Sequence, residues 1–413
     1  MNDPKRILIL TADAGFGHRS AANAIAAALS EREGEACRVA IVNPLEDPRA
    51  PKVLRFAQHD HDRMVRESPQ LYNFGYRASD GSFPVGVVEQ ALIAMLYATM
   101  RDILAAEQPD AIVSTYPLYQ APLAAIFALR RRYLPVLTVV TDLATVHTLW
   151  FNDEVEMCLV PTDIVLNKAL ENGLPADRVE LTGLPVNPVF GRPVHKAELR
   201  RRLGWQTGRT VALLAGSKRV TKLEPVADVL NHSGLPLELA LVAGGDEALL
   251  ANWRGTDWHL PAHVYGFVED MPSLMLAADF VICKAGGLIV SEALAAGLPL
   301  VLVQVIPGNE TGNADLVIEG GAGELASEPL AALQCVFHWM EHDGALLSQR
   351  SANARKLGRP NAAARIAELA MHYAQQGTSA REHRLLAQVP LLRELLSTTG
   401  SPKDQDPAAL PPA

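Results

Sequence analysis

Cysteine is scarce in this sequence, and its four residues are scattered without a Cys-x-x-Cys pair. That pattern fits neither a disulfide framework nor a zinc site, and it is typical of a protein kept in a reducing cytoplasm. Long apolar runs are also missing, since none approaches the roughly 18 residues that a membrane-spanning helix needs. The first residues predict a strand rather than a signal peptide. We therefore expect any contact with a membrane to be peripheral.

An excess of positive charge is absent too. The chain has 37 Lys and Arg residues against 46 Asp and Glu, a formal net charge of −9. Residues 1–150 contribute −1 of this charge (15 basic against 16 acidic) and the remainder −8 (22 against 30). Neither part is basic enough to predict nucleic acid as the main partner. With 413 residues, 49% of them hydrophobic, the chain is long enough for two globular domains.

Short β-branched runs alternate with helical patterns along most of the chain. A first series lies at 6–10, 38–42, 110–115, 135–142, 157–161 and 179–183, and a second at 210–216, 238–245, 263–267, 279–284 and 299–303. Continuous apolar strands that alternate with helices predict parallel sheets covered on both faces. Two such series predict an α/β protein with two doubly wound, Rossmann-like domains.

The proline-rich stretch at 185–193 is the predicted hinge between these domains. We place the boundaries at 1–190 for the N-terminal domain, 191–360 for the C-terminal domain and 361–396 for terminal helices. The remaining tail, 397–413, is rich in Pro and polar residues and predicts disorder.

Residues 51–105 do not fit the alternation and predict a lid or binding region, with two amphipathic helices packed on the first domain as a compatible alternative. Within 49–77, six basic residues stand against three acidic ones: Arg49, Lys52, Arg55, Arg63, Arg66 and Arg77. They predict contact with an anionic membrane surface, at roughly 1 kcal/mol for each basic residue near it. The apolar residues of 85–104 fit that surface or the core equally. Asp60 and Asp62 form an Asp-x-Asp pair, for which a solvated face is favoured over a metal site.

The first candidate site is the turn GFGHRS, where Gly15 and Gly17 precede an Ala-rich helix. Glycines allow the backbone to approach a ligand, and a helix N-terminus offers unpaired N–H groups. Ser20 replaces the third glycine of the dinucleotide fingerprint, and the second strand ends in Asn43 rather than an acid, which argues against a dinucleotide. His18 fits either a general base or an exposed or cap-bonded loop histidine.

The second candidate site is TDLATVHTLW, where a buried strand delivers Asp142 at its carboxyl end. Open α/β sheets bind ligands at that end. Two interpretations fit Asp142. It can orient a base or an acceptor hydroxyl, or it can cap the next segment. Trp150 is predicted to offer a flat surface to a sugar or lipid head group.

The third candidate site is KAGGLIVSE, residues 284–292. Gly286, Gly287 and Leu288 form the start of a helix after a strand, which predicts an anion cradle, with Lys284 adding a full charge. Glu292 lies one turn further along, where its carboxylate can accept both hydroxyls of a ribose. A salt-bridged surface glutamate is the alternative interpretation.

Three further loops follow strands of the second series. Gly216, Ser217 and Lys218 are predicted to lie near the phosphates, and Phe267 against a flat base. Gly308 turns the chain before Asn309, Glu310 and Asn313, whose amide and carboxylate groups suit a polyhydroxylated sugar.

Five segments together resemble a known group of enzymes. They are GFGHRSAANAI, STYPLYQAPLAAI, TDLATVHTLW and the stretches 160–190 and 266–315. Over roughly residues 5–375 the chain resembles the monogalactosyldiacylglycerol synthase and processive diacylglycerol glucosyltransferase group of family 28 glycosyltransferases. The resemblance implies the GT-B fold, with two domains facing across a cleft and a C-terminal helix that crosses back to the first.

The resemblance also implies an activity and its residues. The activity is inverting transfer of a hexose from a UDP-sugar to a lipid hydroxyl, above all that of diacylglycerol, with no metal or other cofactor. The implied roles are His18 as base facing the acceptor, with Asp142 as the alternative; Phe267 and Val268 at the uracil; Gly286 and Gly287 at the diphosphate; Glu292 at the ribose; and Asn309 and Glu310 at the donor sugar.

A lipid acceptor implies a cytoplasmic protein bound peripherally to the inner face of the cell membrane. Three alternatives remain open at this point. They are a UDP-GlcNAc-type transferase to another lipid or soluble acceptor, a UDP-sugar epimerase, and a UDP-sugar-binding regulator without catalysis.

Overall fold

The computed structural model describes residues 3–377 except 15, 53–54, 56–84, 131, 219 and 309. Its strands form two six-stranded sheets in which all neighbours are parallel. The first sheet has the order β2-β1-β3-β4-β5-β6: β1 Lys5–Leu10, β2 Cys37–Val42, β3 Ala111–Ser114, β4 Val136–Val139, β5 Met157–Val160 and β6 Val179–Leu181. The second has the order β12-β11-β10-β7-β8-β9: β7 Thr210–Ala215, β8 Leu237–Val242, β9 Ala262–Tyr265, β10 Phe280–Lys284, β11 Leu300–Gln304 and β12 Gly323–Leu325.

The helices lie between these strands and cover both faces of each sheet. They are α1 Phe16–Glu33, α2 Val85–Glu107, α3 Gln120–Arg130, α4 Asp163–Glu171, α5 Lys196–Leu203, α6 Leu223–Asn231, α7 Glu247–Gly255, α8 Met271–Ala277, α9 Gly287–Ala295, α10 Thr311–Glu319, α11 Pro329–Leu357 and α12 Ala362–Gln376. Side-chain caps fix several starts: Thr162, Asp246 and Asp270 each accept a hydrogen bond from the third backbone N–H of the following helix. The predicted α/β class with two doubly wound domains is confirmed.

Two details differ from the sequence prediction. The strand predicted at 135–142 ends at Val139, so that Thr141 and Asp142 lie in a loop. The edge strand β12 was not predicted, because its three residues, Gly-Glu-Leu, carry no apolar run and it gains its strand form from pairing with β11.

The C-terminal helix α12 returns to the first domain, as the resemblance implied. Its apolar face packs with α1, β1 and β3 in one core that includes Ile25, Ile366 and Ala370. Residues 378–396 of the predicted terminal helices and the tail at 397–413 lie outside the described residues.

The described part of the insertion belongs to the first domain. Leu92, Leu96 and Leu104 of α2 are buried in its core. Of the two interpretations of 85–104, a membrane-facing surface or the core, the structure supports the core. Arg49 forms ion pairs with Asp47 and Asp102. The other predicted elements of this region, Arg63, Arg66, Arg77 and the Asp60–Asp62 pair, lie outside the described residues. Among those described, no helix combines the length and apolar character needed to cross a bilayer.

Buried charge stabilises the second domain near the start of its sheet. The Arg200 guanidinium donates to Asp279 Oδ2 at 2.5 Å and to the Ala277 and Arg209 carbonyls, and only 7% of its side chain is exposed. Lys196 contacts the other oxygen of Asp279 at 2.6 Å, but 43% of its side chain is exposed.

Arg200→Met is expected to lower the free energy of unfolding by roughly 3–5 kcal/mol, because it leaves the Asp279 carboxylate with less compensation in a poorly hydrated site. The matched control, Lys196→Met, removes a more exposed partner and should cost about 1 kcal/mol or less. Equilibrium urea unfolding followed by tryptophan fluorescence measures both. Equal losses would show that the burial of Arg200 has no energetic consequence.

Candidate active site

The candidate residues follow the carboxyl ends of the strands, and many lie at the point where the strand order reverses. In the first sheet β1 and β3 are neighbours, and in the second β7 and β10 are neighbours. Crevices at such switch points are the usual ligand sites of doubly wound sheets. His18 follows β1 and Lys284 ends β10, so each of these two residues lies beside one crevice.

His18 lies in the first turn of α1 and is half-buried. Its Nδ1 donates to the Thr115 carbonyl oxygen at 2.9 Å and lies 2.6 Å from Thr141 Oγ1. A carbonyl oxygen can only accept, so the first contact requires a proton on Nδ1 and leaves the lone pair of a neutral imidazole on Nε2. The Tyr116 ring meets the imidazole edge to face, with centroids 4.9 Å apart. These contacts fix the orientation of the ring, and they are not those of an exposed loop histidine.

The neighbouring residue Arg19 anchors the start of α1. Its guanidinium donates to both carboxylate oxygens of Asp13 at 2.8 Å. This interaction with Arg19 lowers the pKa of Asp13 to about 2. The bidentate pair holds the turn that carries His18.

Asp142 lies in the loop after β4, and its Oδ2 accepts a hydrogen bond from Trp150 Nε1 at 2.7 Å. Burial raises the pKa of Asp142 to about 6, against the opposing effect of the Trp150 bond. Burial, with the Asp142 charge as a second cause, raises the pKa of Tyr116 to about 12. Asp142 and Tyr116 therefore lie near each other, and Tyr116 in turn contacts His18.

The prediction that Trp150 offers an exposed flat surface is wrong. The side chain is fully buried in a core of the first domain, and its indole N–H holds Asp142. Asp142 does not act as the cap of the next segment either, since the His147 side chain accepts from Leu149 N and caps the turn at 148–150.

Two residues, Ala285 and Gly286, separate the end of β10 from the start of α9. A Cβ on Gly286 would lie 2.8 Å from Lys284 Nζ, so the lysine head group occupies the space beside this glycine. A Cβ on Gly287 would lie 3.7 Å from Leu143 Cβ and 3.9 Å from the Thr141 carbonyl oxygen, across the cleft. Both glycine positions are therefore closely packed, and a side chain at either would contact these neighbours, while the anion cradle at the helix start stays a prediction.

Lys284 and Glu310 form an ion pair with each other, and 16% and 5% of their side chains are exposed. Glu310 Oε2 also accepts from Ile306 N at 3.1 Å. The sequence predicted separate contacts, Lys284 with phosphate and Glu310 with sugar. In this structure the pair instead lies as one unit beside Gly286.

Glu292 is half-buried on α9, and among the described residues its carboxylate has neither a hydrogen bond nor an ion pair. Burial raises the pKa of this carboxyl to about 7. The interpretation as a salt-bridged surface glutamate is therefore wrong. A carboxyl whose pKa is raised by burial and that has no charged partner is a candidate for binding a ligand that supplies hydrogen-bond donors.

The remaining predicted residues lie after strands of the same second sheet or in the first turn of α9. Gly216 donates its N–H to the Val242 carbonyl at 2.7 Å, and a Cβ there would clash with that oxygen, so the β7 and β8 ends need glycine. Phe267 is 76% exposed, whereas Val268 and Leu288 pack partly against the core. Ser217 and Lys218 follow Gly216, and Gly308 adopts φ +85°. Asn309 lies outside the described residues.

Residues that the sequence did not single out complete the site. Thr115 and Thr141 hold the imidazole of His18, and Tyr116 packs against it. All three follow the ends of parallel strands. A position after the end of a parallel strand could have indicated a role in the site, but Thr and Tyr also occur at such positions for structural reasons alone.

Two family models match parts of this chain. The family model described as monogalactosyldiacylglycerol (MGDG) synthase matches residues 18–186, and the glycosyltransferase family 28 C-terminal domain matches residues 219–328. A probable monogalactosyldiacylglycerol synthase, chloroplastic, of Glycine max is 34% identical over 377 residues, which cover 88% of this chain and 70% of that protein.

Two solved structures share the fold at low identity. Acinetobacter baumannii MurG has a TM-score of 0.56 at 18% identity, covering 89% of this chain and 100% of that one. The UDP-GlcNAc 2-epimerase from Neisseria meningitidis, bound to UDP-GlcNAc, has a TM-score of 0.54 at 16% identity, with the same coverages of 89% and 100%. The shared fold alone does not separate transfer from epimerisation.

Two parallel α/β domains with these strand-end sites, together with the family 28 match, define a glycosyltransferase of the GT-B class. Within that class, the chain belongs to the monogalactosyldiacylglycerol synthase family. The family resemblance, fold and enzyme class predicted from the sequence are thereby confirmed.

Proposed function

We propose that the protein transfers a hexose from a UDP-sugar to the free hydroxyl of diacylglycerol, with inversion at the anomeric carbon. The observation that carries the proposal is the placement of His18. Its Nδ1 is held, so that Nε2 is the basic atom, and its partner Thr141 also borders the start of α9. The names of the relatives, which describe galactosyl transfer to diacylglycerol, support the substrates.

In the proposed reaction Nε2 of His18 takes the proton of the acceptor hydroxyl while the oxygen attacks C1 of the hexose. The new C1–O bond forms on the face opposite the diphosphate, and the bond from C1 to the diphosphate oxygen breaks. The electron pair of that bond leaves with UDP, and the proton stays on the imidazole until solvent removes it. No metal or other cofactor takes part in this proposal.

The leaving group gains negative charge, and the start of α9 is suited to stabilise it. The first N–H groups of a helix have no intrahelical partners, and an anion at that end typically gains 0.3–1 kcal/mol, up to ~2 when partly buried. Gly286 and Gly287 carry no side chains that would cover these N–H groups. The Lys284–Glu310 pair lies beside Gly286, so Lys284 can contact the diphosphate while Glu310 accepts from a sugar hydroxyl.

The acceptor implies a location. We propose that the protein binds peripherally from the cytoplasm to the inner face of the membrane that holds its diacylglycerol, with the anionic surface attracting basic residues such as Lys52. The names of the relatives describe those proteins as chloroplastic.

The test incubates the purified protein with UDP-galactose, UDP-glucose or UDP-GlcNAc, each with and without diacylglycerol vesicles, and analyses lipids and nucleotides by mass spectrometry. The proposal expects a monoglycosylated diacylglycerol and UDP only when lipid is present. Donor conversion without lipid would instead indicate an epimerase. Binding without any product would indicate a regulator.

The affinity for UDP is expected to rise with pH through about 7. Glu292 accepts from the ribose hydroxyls best as a carboxylate, and burial raises its pKa to about 7 in the free protein. At pH 6 only about a tenth of the molecules carry that charge, so the dissociation constant should be about tenfold larger than at pH 8. Isothermal titration calorimetry at several pH values measures this.

The control for that experiment is Glu292→Gln. UDP itself titrates below neutrality, since a terminal phosphate has a second pKa of about 6. The variant keeps this contribution and loses that of Glu292. Identical pH dependence in wild type and variant would contradict the role of Glu292.

A further inference from the structure

The loop after β4, residues 141–145, contacts both halves of the site. Thr141 is buried, with 6% exposed, and its Oγ1 lies 2.6 Å from Nδ1 of His18. Its main-chain oxygen lies 3.9 Å from the position of a Cβ on Gly287, at the start of α9. One residue therefore joins the base of the first domain to the helix start that faces the leaving group.

The loop is held from both sides. In the first domain the Leu143 carbonyl accepts from Thr162 Oγ1 at 2.9 Å. In the second domain the Leu143 side chain packs into the core beneath α9. A Cβ on Gly312, near the start of α10, would lie only 2.9 Å from Ala144 Cβ, so this side of the loop is also in close contact. The position of Thr141 thus depends on how the second domain contacts the loop.

We propose that Thr141 is a positioning residue for His18. Its hydroxyl, together with the Thr115 carbonyl, holds Nδ1–H of the imidazole and keeps Nε2 as the proton acceptor, and its contact with α9 aligns that acceptor with the bound donor. The inference rests on the proposed function and adds a residue that links the base to the donor-binding domain.

The hydrogen bond between Thr141 and Nδ1–H of His18 affects the basicity of Nε2 through the proton transfer itself. When Nε2 takes the acceptor proton, the imidazole becomes a cation, and its Nδ1–H bonds become charge-assisted and stronger. Thr141 therefore stabilises the protonated form more than the neutral one, which raises the basicity of Nε2. Two acceptors at one nitrogen also restrict rotation of the ring.

Substitution of Thr141 by valine neither adds nor removes an ionisable group around His18. Tyr116 contacts the ring from the loop after β3, and the Asp13–Arg19 pair lies on the turn and helix of His18 itself. Asp142 follows Thr141 and is held by Trp150. A shift of the pH profile in a Thr141 variant is then assigned to the lost hydroxyl.

The test compares Thr141→Val, which removes the hydroxyl at nearly constant volume, with Thr141→Ser, which retains it. Thr138→Val is the matched control, since it removes a buried hydroxyl of the adjoining strand that contacts Gln120 rather than His18. For Thr141→Val we expect kcat to fall about 10- to 100-fold, as for loss of one charge-assisted hydrogen bond, with an unchanged dissociation constant for UDP.

The pH profile distinguishes positioning from a loss of structure. Measured for the acceptor at saturating donor, where Glu292 is already bound to the ribose, the acidic limb of kcat/KM should move to lower pH by about one unit in Thr141→Val, because the base has lost an acceptor that favours its protonated form. Thr141→Ser should recover most of the turnover and the original limb, and Thr138→Val should keep both.

An unchanged kcat and profile in Thr141→Val would overturn the inference. The inference would also be overturned if Thr138→Val lowered kcat as much as Thr141→Val and the acidic limb of the pH profile did not move in either variant. Failure of the proposed function looks different, because the wild-type protein itself would then form no glycolipid.

Discussion

Replacement of His18 by alanine is expected to reduce hexose transfer by roughly 10²- to 10⁴-fold, the usual contribution of a positioned general base. The acceptor hydroxyl would then have to lose its proton to water instead of to a positioned imidazole. The rate of glycolipid formation under saturating donor measures the effect. The dissociation constant for UDP should stay unchanged, because the imidazole faces the acceptor.

Two variants control this result. His18→Asn retains an N–H that can donate to the Thr115 carbonyl but has no basic nitrogen at the reacting position, so it should be as inactive as His18→Ala. The second control is His372→Ala, which removes an exposed histidine on α12 and should leave turnover unchanged. Within the described part of the chain, His372 forms a hydrogen bond with Gln376 and a ring contact with Tyr373. Near-normal turnover in His18→Ala would move the role of base to Asp142.

Replacement of Glu292 by alanine is expected to weaken UDP binding by at least ~100-fold. A hydrogen bond to a charged group contributes about 1.5–3 kcal/mol, and the carboxylate can accept two from adjacent ribose hydroxyls. Calorimetric titration with UDP measures the loss. Glu319→Ala, which removes an exposed glutamate of α10, is the matched control and should bind UDP like wild type.

The same substitution should not destabilise the free protein. The pKa of Glu292 is raised from 4.5 to about 7, so the folded state binds more protons than the unfolded state between these values. Its contribution to stability therefore falls as the pH rises from about 4.5 through 7 and is unfavourable at pH 8. Glu292→Ala should be at least as stable as wild type at pH 8, in contrast to a glutamate retained for folding. A large loss of stability with unchanged UDP binding would contradict the assignment.

The fold was predictable because nearly every strand is covered on both faces. Runs such as Phe280–Lys284 and Thr210–Ala215 are apolar almost throughout, and short runs of this kind between helical segments are typical of buried parallel strands. The edge strand β12 lacks that signal, since its pairing with β11 alone makes it a strand.

The residues proposed for the donor side could be grouped from local sequence, whereas the surroundings of His18 could not. Gly286, Gly287 and Glu292 lie within one strand–helix junction, so their spacing is visible in the chain. The partners of His18 lie 97 and 123 residues away, at Thr115 and Thr141, and only the parallel sheet brings them together.

Burial accounts for two contacts that the sequence interpretation did not foresee. Trp150 stands in a loop segment of the sequence, but the core that includes Val140 and residues of β5 encloses its ring. Lys284 and Glu310 are 26 residues apart and were assigned to different parts of the substrate. Both are largely withdrawn from water, where opposite charges pair.

The central claim is that this chain joins a hexose to diacylglycerol with inversion, and NMR of the anomeric carbon tests it most directly. The purified protein is mixed with ¹³C-labelled UDP-α-galactose, or UDP-α-glucose if that is the better donor, and diacylglycerol vesicles. The account predicts a β-glycosidic lipid signal that grows in step with free UDP. An α-linked lipid would contradict inversion, and release of UDP with only free sugar, or no change in the donor, would contradict lipid glycosylation itself.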